Sequence, residues 1–342
     1  MSNVISPEEL VRKIRIRKAM KSVPLTSFDD TDVPDGLETK KFARCKCSYL
    51  DEMYDDVSLN DSHYVTCVDP LIRDEEISKE EFDGMNISTI VKGYYGSYDI
   101  SEHDLNTKLE DASSELICSR LANLFGVKTQ YVAPIKGNPY CSIIVDFLKD
   151  KEQILNFKEF TDASPSSYLK GFDISSWINP LVNQVFFMTP DALFNPELAR
   201  ENVNRVVEDF AKQYLFKKYI VHDSDLCSVN IGFVVTPDGK YEVAPAFDFS
   251  NCFAPGVRTP QGAGLEQDIE YLSKNYPNIL KNITQDFELA SNKKDEMKNI
   301  IQRFVPEPHL TKDYYGLVEN SALNFVEMSK NYLSGKYLDT QM

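Results

Sequence analysis

Apolar residues fall into two rhythms along this chain. From about residue 41 to 148 they come largely in short β-rich runs broken by turn residues. Beyond about 150 they recur mostly at helical spacing, interrupted once. Asn86-Ile87-Ser88-Thr89-Ile90-Val91-Lys92 reads as a strand that ends on a lysine. Residues 111–126 read as a helix, with Leu116, Ile117, Leu121, Leu124 and Phe125 as its apolar stripe and Gly126 at the C-cap. Two strands are predicted at 129–135 and 141–147, joined by the turn Lys136-Gly137-Asn138-Pro139. The segment 203–221 reads as a helix rich in Phe and Tyr. Residues 231–235 and 241–247 read as a hairpin around Thr236-Pro237-Asp238-Gly239, and 265–335 as several further helices. At the start of the chain, Ser6-Pro7-Glu8-Glu9 opens a helix, and 22–40 reads as a loop or linker.

The order predicts an α+β fold of two lobes with a cleft between them, a favoured place for a ligand. The divisions are an N-terminal helix and linker at 1–40, a strand-rich, nucleotide-binding lobe at 41–148 and a helical lobe at 149–342. With 342 residues, 42% of them hydrophobic and 26% charged, the composition is that of an ordinary globular protein. Its net charge of −16 argues against broad electrostatic attachment to nucleic acid or anionic lipid. One basic cluster (Arg12, Lys13, Arg15, Arg17, Lys18, Lys21) reads either as a solvated face or as a contact for a phosphate-rich partner. The acidic stretch 69–83 lacks ligand spacing and reads as solvated surface. Seven cysteines without a CxxC or HxxxH pattern read as buried free thiols in a reducing compartment. The N-terminus lacks the pattern of a signal peptide, and no apolar run approaches the ~18 residues of a membrane span. A cytoplasmic location is therefore expected.

The chemistry concentrates in His222-Asp223-Ser224-Asp225-Leu226-Cys227-Ser228-Val229-Asn230 and, past the hairpin, Phe247-Asp248-Phe249-Ser250. Phosphoryl transfer asks a protein mainly for positioning and charge neutralisation. Asp225, on a loop just after a helix, is placed to orient an incoming hydroxyl. Asn230 and Asp248, at either end of the hairpin, offer oxygens to Mg²⁺ carrying ATP phosphates. Upstream, Lys92 ends a strand and Glu115 lies in the next helix, an order that suits a lysine directed at the phosphates by a glutamate. Each of these also has a plainer reading. Asp223 and Asp225 suit a turn leaving a helix, Lys92 an exposed strand end, and Glu115 a first-turn acid on the helix dipole. Trp177 reads as core, and His103 and His309 as surface residues.

Four segments carry a resemblance to the HipA-like serine/threonine kinases, whose two-lobed fold is related to that of protein kinases. Ile90-Val91-Lys92 resembles the strand that bears the phosphate-binding lysine, and 114–127 resembles the helix that follows it. Residues 222–233 are similar to the family's Asn-x-Asp-x-His-x-x-Asn catalytic loop, and Val243-Ala244-Pro245-Ala246-Phe247-Asp248 to its metal segment. The resemblance implies a kinase that uses ATP and Mg²⁺ and phosphorylates Ser or Thr of a protein. It implies Asp225 as catalytic residue, Asn230 and Asp248 as metal ligands, Lys92 and Glu115 at the nucleotide phosphates, and Val145, Asp146 and Phe147 on the strand that meets adenine. An antitoxin or other regulatory partner goes with it; a membrane does not. The chain departs from the pattern in three places. The stretch 60–91 holds only Gly84 where the family has a glycine-rich loop, Ser114 replaces an Asn, and Cys227 replaces the catalytic-loop His. A nucleotide-binding pseudokinase or regulatory binding protein, and a small-molecule kinase or AMP transferase on the same scaffold, stand as alternatives.

Overall fold

The computed structural model describes residues 40–46, 86–92, 102–130, 132–135, 138–145, 152–165, 173–189, 192–249, 251–253, 264–304 and 313–335. The N-terminal helix and linker, the acidic stretch 69–83 and most of the segment before Lys92 lie outside the described residues.

An antiparallel four-stranded sheet comes first. It consists of β1 (Lys40–Lys46), β2 (Asn86–Lys92), β3 (Val132–Ile135) and β4 (Asn138–Val145) in the order β1-β2-β4-β3. β2 runs over the residues expected of it and pairs Lys92 with Lys40 on one side and Ser142 on the other. β4 takes in Asn138 and Pro139, which the sequence suggested as turn residues. Asn138 opposes Ile135 through a register shift, so the connection between β3 and β4 is only the two residues 136 and 137. Helix α1 (Glu102–Leu124) spans β2 and β3 in the chain and packs on β3 and β4. It begins nine residues before the expected Asp111, because the polar stretch ahead of its apolar stripe continues the same helix. Its end is as expected: Gly126 takes φ +69, a left-handed conformation that a Cβ would strain.

The second sheet was only partly visible in the sequence. β5 (Gln153–Asn156) joins the expected hairpin of β6 (Gly232–Val235) and β7 (Tyr241–Val243) in the antiparallel order β5-β6-β7. β5 was missed because a four-residue strand is too short to show its period. It is cut off by Asn156, whose side chain and backbone form a reciprocal capping box with Glu159 at 2.9 Å each way and so start the short helix α2 (Phe157–Thr161).

Helices fill out the rest: α3 (Ile174–Met188), α4 (Pro196–Leu215), α5 (Leu265–Asn275), α6 (Pro277–Asn292), α7 (Lys294–Phe304) and α8 (Tyr314–Leu333). Asp173 caps α3 through the amides of Ser175 and Ser176, and Asn195 with Pro196 opens α4. The core beneath the second sheet is aromatic. Trp177 meets Phe157 edge-on at 4.9 Å and lies near Phe210 and Tyr214, while Phe160 stacks on Phe233 at 4.1 Å. Each of these side chains is fully buried, a burial that stabilises by about 1.5–3 kcal/mol per large apolar group. α4 does not run on to 221 as a regular helix. At Phe216 it loosens into one π-helical turn, Phe216–Ile220.

Candidate active site

The corner is assembled where the π-helical turn empties into the loop 221–231. Asn230 is buried and points its amide nitrogen back along the loop, donating to the Asp225 backbone oxygen at 2.8 Å and to Asp225 Oδ2 at 3.0 Å. Both partners are acceptors, so the amide can only be oriented with Nδ2 toward Asp225. Its Oδ1 is thereby turned to the other side. Asp225, half-buried, donates from its own amide to Asp223 Oδ1 at 2.9 Å.

Asp248 arrives from the other end of the hairpin. The sequence suggested that it ends the return strand; the strand stops at Val243, and Asp248 lies five residues beyond it. There the backbone takes φ +60, a left-handed conformation that costs an Asp less than most residues but still needs support. Asp248 is half-buried. The intervening residues are pinned: the Ala246 amide donates to the Lys128 carbonyl at 2.8 Å and the Gln130 amide to the Ala246 carbonyl at 3.0 Å.

Two residues hold this corner from behind: Lys217, which sequence reasoning passed over, and Asp223, which it read as a turn residue. Lys217, in the π-helical turn, is 0% exposed, and its Nζ stands 3.0 Å from Asp223 Oδ2, itself in a side chain with no exposure. The same ammonium donates to the carbonyls of Phe247 at 2.8 Å and Asp248 at 3.2 Å, and reaches that of Asn230 at 3.4 Å. Burial by itself pushes Lys217 down, but the charges of Asp223 and, further off, Asp248 outweigh it and raise the group; it is a cation at any ordinary pH. Burial pushes the Asp223 carboxyl up, with Lys217 opposing. The signal available in the sequence was a lysine pair inside the apolar run Tyr214-Leu215-Phe216-Lys217-Lys218-Tyr219-Ile220-Val221. A charge placed there is either at the surface or paired, and here both are paired: Lys218 reaches Asp268 at 3.0 Å on the opposite side of the turn.

Glu115 is buried on α1, with 1% exposure. Its helix is fastened to the segment after Asp248: Ser114 Oγ donates to the Cys252 carbonyl at 3.1 Å, and the Cys118 and Cys252 thiols are within hydrogen-bonding reach. Burial pushes both thiols up, so they are neutral free cysteines, as expected. Lys92 closes β2 as expected, but its side chain, like that of Val145 at the end of β4, lies outside the described residues, as do Asp146 and Phe147 entirely. The structure thus brings Asp225, Asn230 and Asp248 into one corner. His222 is turned away from it: it has φ +52, its Nε2 lies 2.8 Å from Ser321 Oγ, and burial lowers its pKa.

A divalent metal fits the donors of this corner. Among the described residues no three His, Cys, Asp or Glu side chains cluster as a self-sufficient metal site. Mg²⁺ does not need one, because it is usually held by one or two protein oxygens with phosphates and waters completing its shell. Asn230 Oδ1, released by the orientation of its amide, and the Asp248 carboxylate supply that number.

No protein-family model matches the chain, and no curated protein matches it. Among solved structures the fold is similar to the Helicobacter pylori proinflammatory kinase CtkA, with a TM-score of 0.43 and 13% identity over 75% of this chain and 89% of that one. It is also similar to the HipA–HipB–operator DNA complex of the Shewanella oneidensis MR-1 toxin–antitoxin system, with a TM-score of 0.41 and 13% identity over 89% of this chain and 74% of that one.

Proposed function

We propose that the chain is an ATP- and Mg²⁺-dependent kinase of the HipA-like class that phosphorylates Ser or Thr of a protein. One observation carries the reading: the hydrogen-bonded Asp225–Asn230 pair and the left-handed Asp248 meet on one buried lysine although 18 residues separate Asn230 from Asp248 in the chain. A turn of surface acids has no need of such a brace.

In this reading Asp225 orients the acceptor hydroxyl and takes its proton. The bond from Asn230 Nδ2 to Asp225 Oδ2 fixes the orientation in which the carboxylate meets the substrate. Asn230 Oδ1 and Asp248 hold the metal, which supplies charge neutralisation at the phosphates. Lys92, steered by Glu115, binds the nucleotide phosphates, and the backbone of Val145, Asp146 and Phe147 meets adenine. A regulatory, antitoxin-like protein partner belongs to the same reading.

Transfer of labelled phosphate from ATP, measured for wild type and Asp225→Ala, tests it. Losing a positioned acid–base group costs roughly 10²–10⁴-fold in rate. Equal rates would remove Asp225 from the mechanism, and a folded wild type that binds no nucleotide would sink the kinase reading. Mass spectrometry of the product separates addition of phosphate from addition of AMP.

A further inference from the structure

Lys217 meets the Asp223 carboxylate and the carbonyls of Asn230, Phe247 and Asp248, and it has no part in the chemistry just described. We propose that Lys217, with Asp223 as its counter-ion, is the positioning residue that holds the catalytic loop and the metal segment in register. The proposal rests on the kinase reading of the same site and adds the device that assembles it.

The argument starts from cost. An ammonium with no solvent exposure is expensive to bury, and a carboxylate with no exposure doubles the expense. An apolar pair of similar volume would be cheaper, so the ion pair needs a reason that an apolar pair would not satisfy. The contacts supply one. Three carbonyl oxygens converge on Lys217 Nζ, from Asn230, Phe247 and Asp248, and the segments they come from share no strand pairing at those residues. A cation is the group that draws several carbonyl dipoles to one point, and the bond to the Asp248 carbonyl supports a backbone held at φ +60. On its other side, Asp223 divides its carboxylate. Oδ2 faces the ammonium and Oδ1 accepts from the Asp225 amide. The result is one continuous chain of polar contacts: Asp248 carbonyl, Lys217, Asp223, Asp225 amide, with Asn230 closing it through its carbonyl on Lys217 and its amide on Asp225.

The π-helical turn is what presents the lysine. The Val221 amide bonds to the Phe216 carbonyl at 3.1 Å, and the Asp223 amide then reaches back to the Lys217 carbonyl at 2.8 Å. Such wide turns take in one more residue than an α-helical turn and are common where a side chain must be re-aimed at a site. The same residue thus binds Asp223 twice, once through its backbone and once through its side chain.

The test uses the full chain as Lys217→Met and as Lys217→Met/Asp223→Asn. The double variant has no buried charge at either position and keeps an acceptor for the Asp225 amide. Three quantities are read: melting temperature, amide hydrogen exchange at 225–230 and 247–249 with α6 as internal control, and kcat and KM for ATP–Mg²⁺. The single variant is expected to melt well below wild type and the double variant to recover at least half of that loss. Exchange in the two site segments should nevertheless stay faster than in wild type, with α6 unchanged, and kcat should remain at least about tenfold down with a smaller change in KM, as misplacement of reacting groups produces. Recovery of kcat together with melting temperature would overturn the proposal, leaving Lys217 as packing. So would wild-type exchange rates at both segments in the double variant, or a double variant that does not fold. Should wild type transfer no phosphate, the kinase reading falls, and the exchange rates alone still decide whether Lys217 holds the two segments.

Discussion

Replacing Asn230 by aspartate changes almost nothing in shape and reverses the electrostatics of the corner. In the wild type the amide nitrogen donates to two acceptors of Asp225, at 2.8 and 3.0 Å. In Asn230→Asp a second carboxylate oxygen takes that place, and two negative charges face each other at about the same distance. At an effective dielectric of ~20 the repulsion is about 5 kcal/mol. Solvent at the half-exposed Asp225 side screens it to roughly 2–3 kcal/mol. At about 1.4 kcal/mol per pH unit, this means that the variant pair keeps one shared proton roughly two pH units higher than isolated carboxylates do. The sign follows: a proton bound more tightly in the folded state stabilises below the raised titration point and is lost as pH rises through it. The variant should therefore be close to wild type in stability near pH 4.5 and fall progressively behind it up to about pH 7, where the loss levels off. Urea titrations at half-unit pH intervals, with wild type in parallel, measure this directly. Identical pH profiles for the two proteins would refute the assigned orientation of the Asn230 amide, and with it the availability of Oδ1 for a metal.

Further perturbations probe the supports. Lys217→Met should cost about 3–5 kcal/mol at pH 8, because it leaves Asp223 charged and alone, and less at pH 5, because burial already raises that carboxyl and the variant can protonate it; thermal melts at the two pH values check the difference. Asp268→Ala strands three donors, the Ile174 amide at 2.6 Å, the Tyr219 hydroxyl at 2.5 Å and Lys218 Nζ at 3.0 Å, and should lower stability by about 3–5 kcal/mol in a denaturant titration. Gly232→Ala would put a methyl 2.8 Å from Ile154 Cδ1 and 3.1 Å from Phe247 Cε1, so about 1–3 kcal/mol of overpacking should appear, together with a drop in phosphate transfer as the ring next to Asp248 shifts; unchanged stability and activity would show that the neighbours yield freely. Asp162→Gly relieves a left-handed φ of 57° at the exposed end of α2 and should raise stability by about 0.5 kcal/mol, read as a small increase in melting temperature.

Long periodic stretches and residues that close an element were legible in advance: β2 ends on Lys92, and Gly126 closes its helix in the left-handed conformation. Asn230 does lie against Asp225, and its carbonyl shares Lys217 with that of Asp248, although the strand expected to deliver Asp248 ends earlier. What escaped depended on tertiary contacts. β5 carries four residues, and only its pairing with β6 makes it a strand. The return strand of the hairpin stops at Val243 because the chain then leaves its partner to pair at Ala246 with Thr129, a contact 117 residues distant. Lys217 went unread, since nothing local announces that a charge will be buried against a carboxylate six residues later. The π-helical turn was equally hidden, because its one extra residue is invisible to any argument from a period of 3.6.

Ser114 and Cys118 stand one turn apart on α1, and both bear on Cys252, four residues past Asp248. Glu115 sits between these two attachments. The 23-residue helix is thereby anchored at two points to a stretch of chain four residues past Asp248, so a rigid shift of α1 cannot leave that stretch where it is.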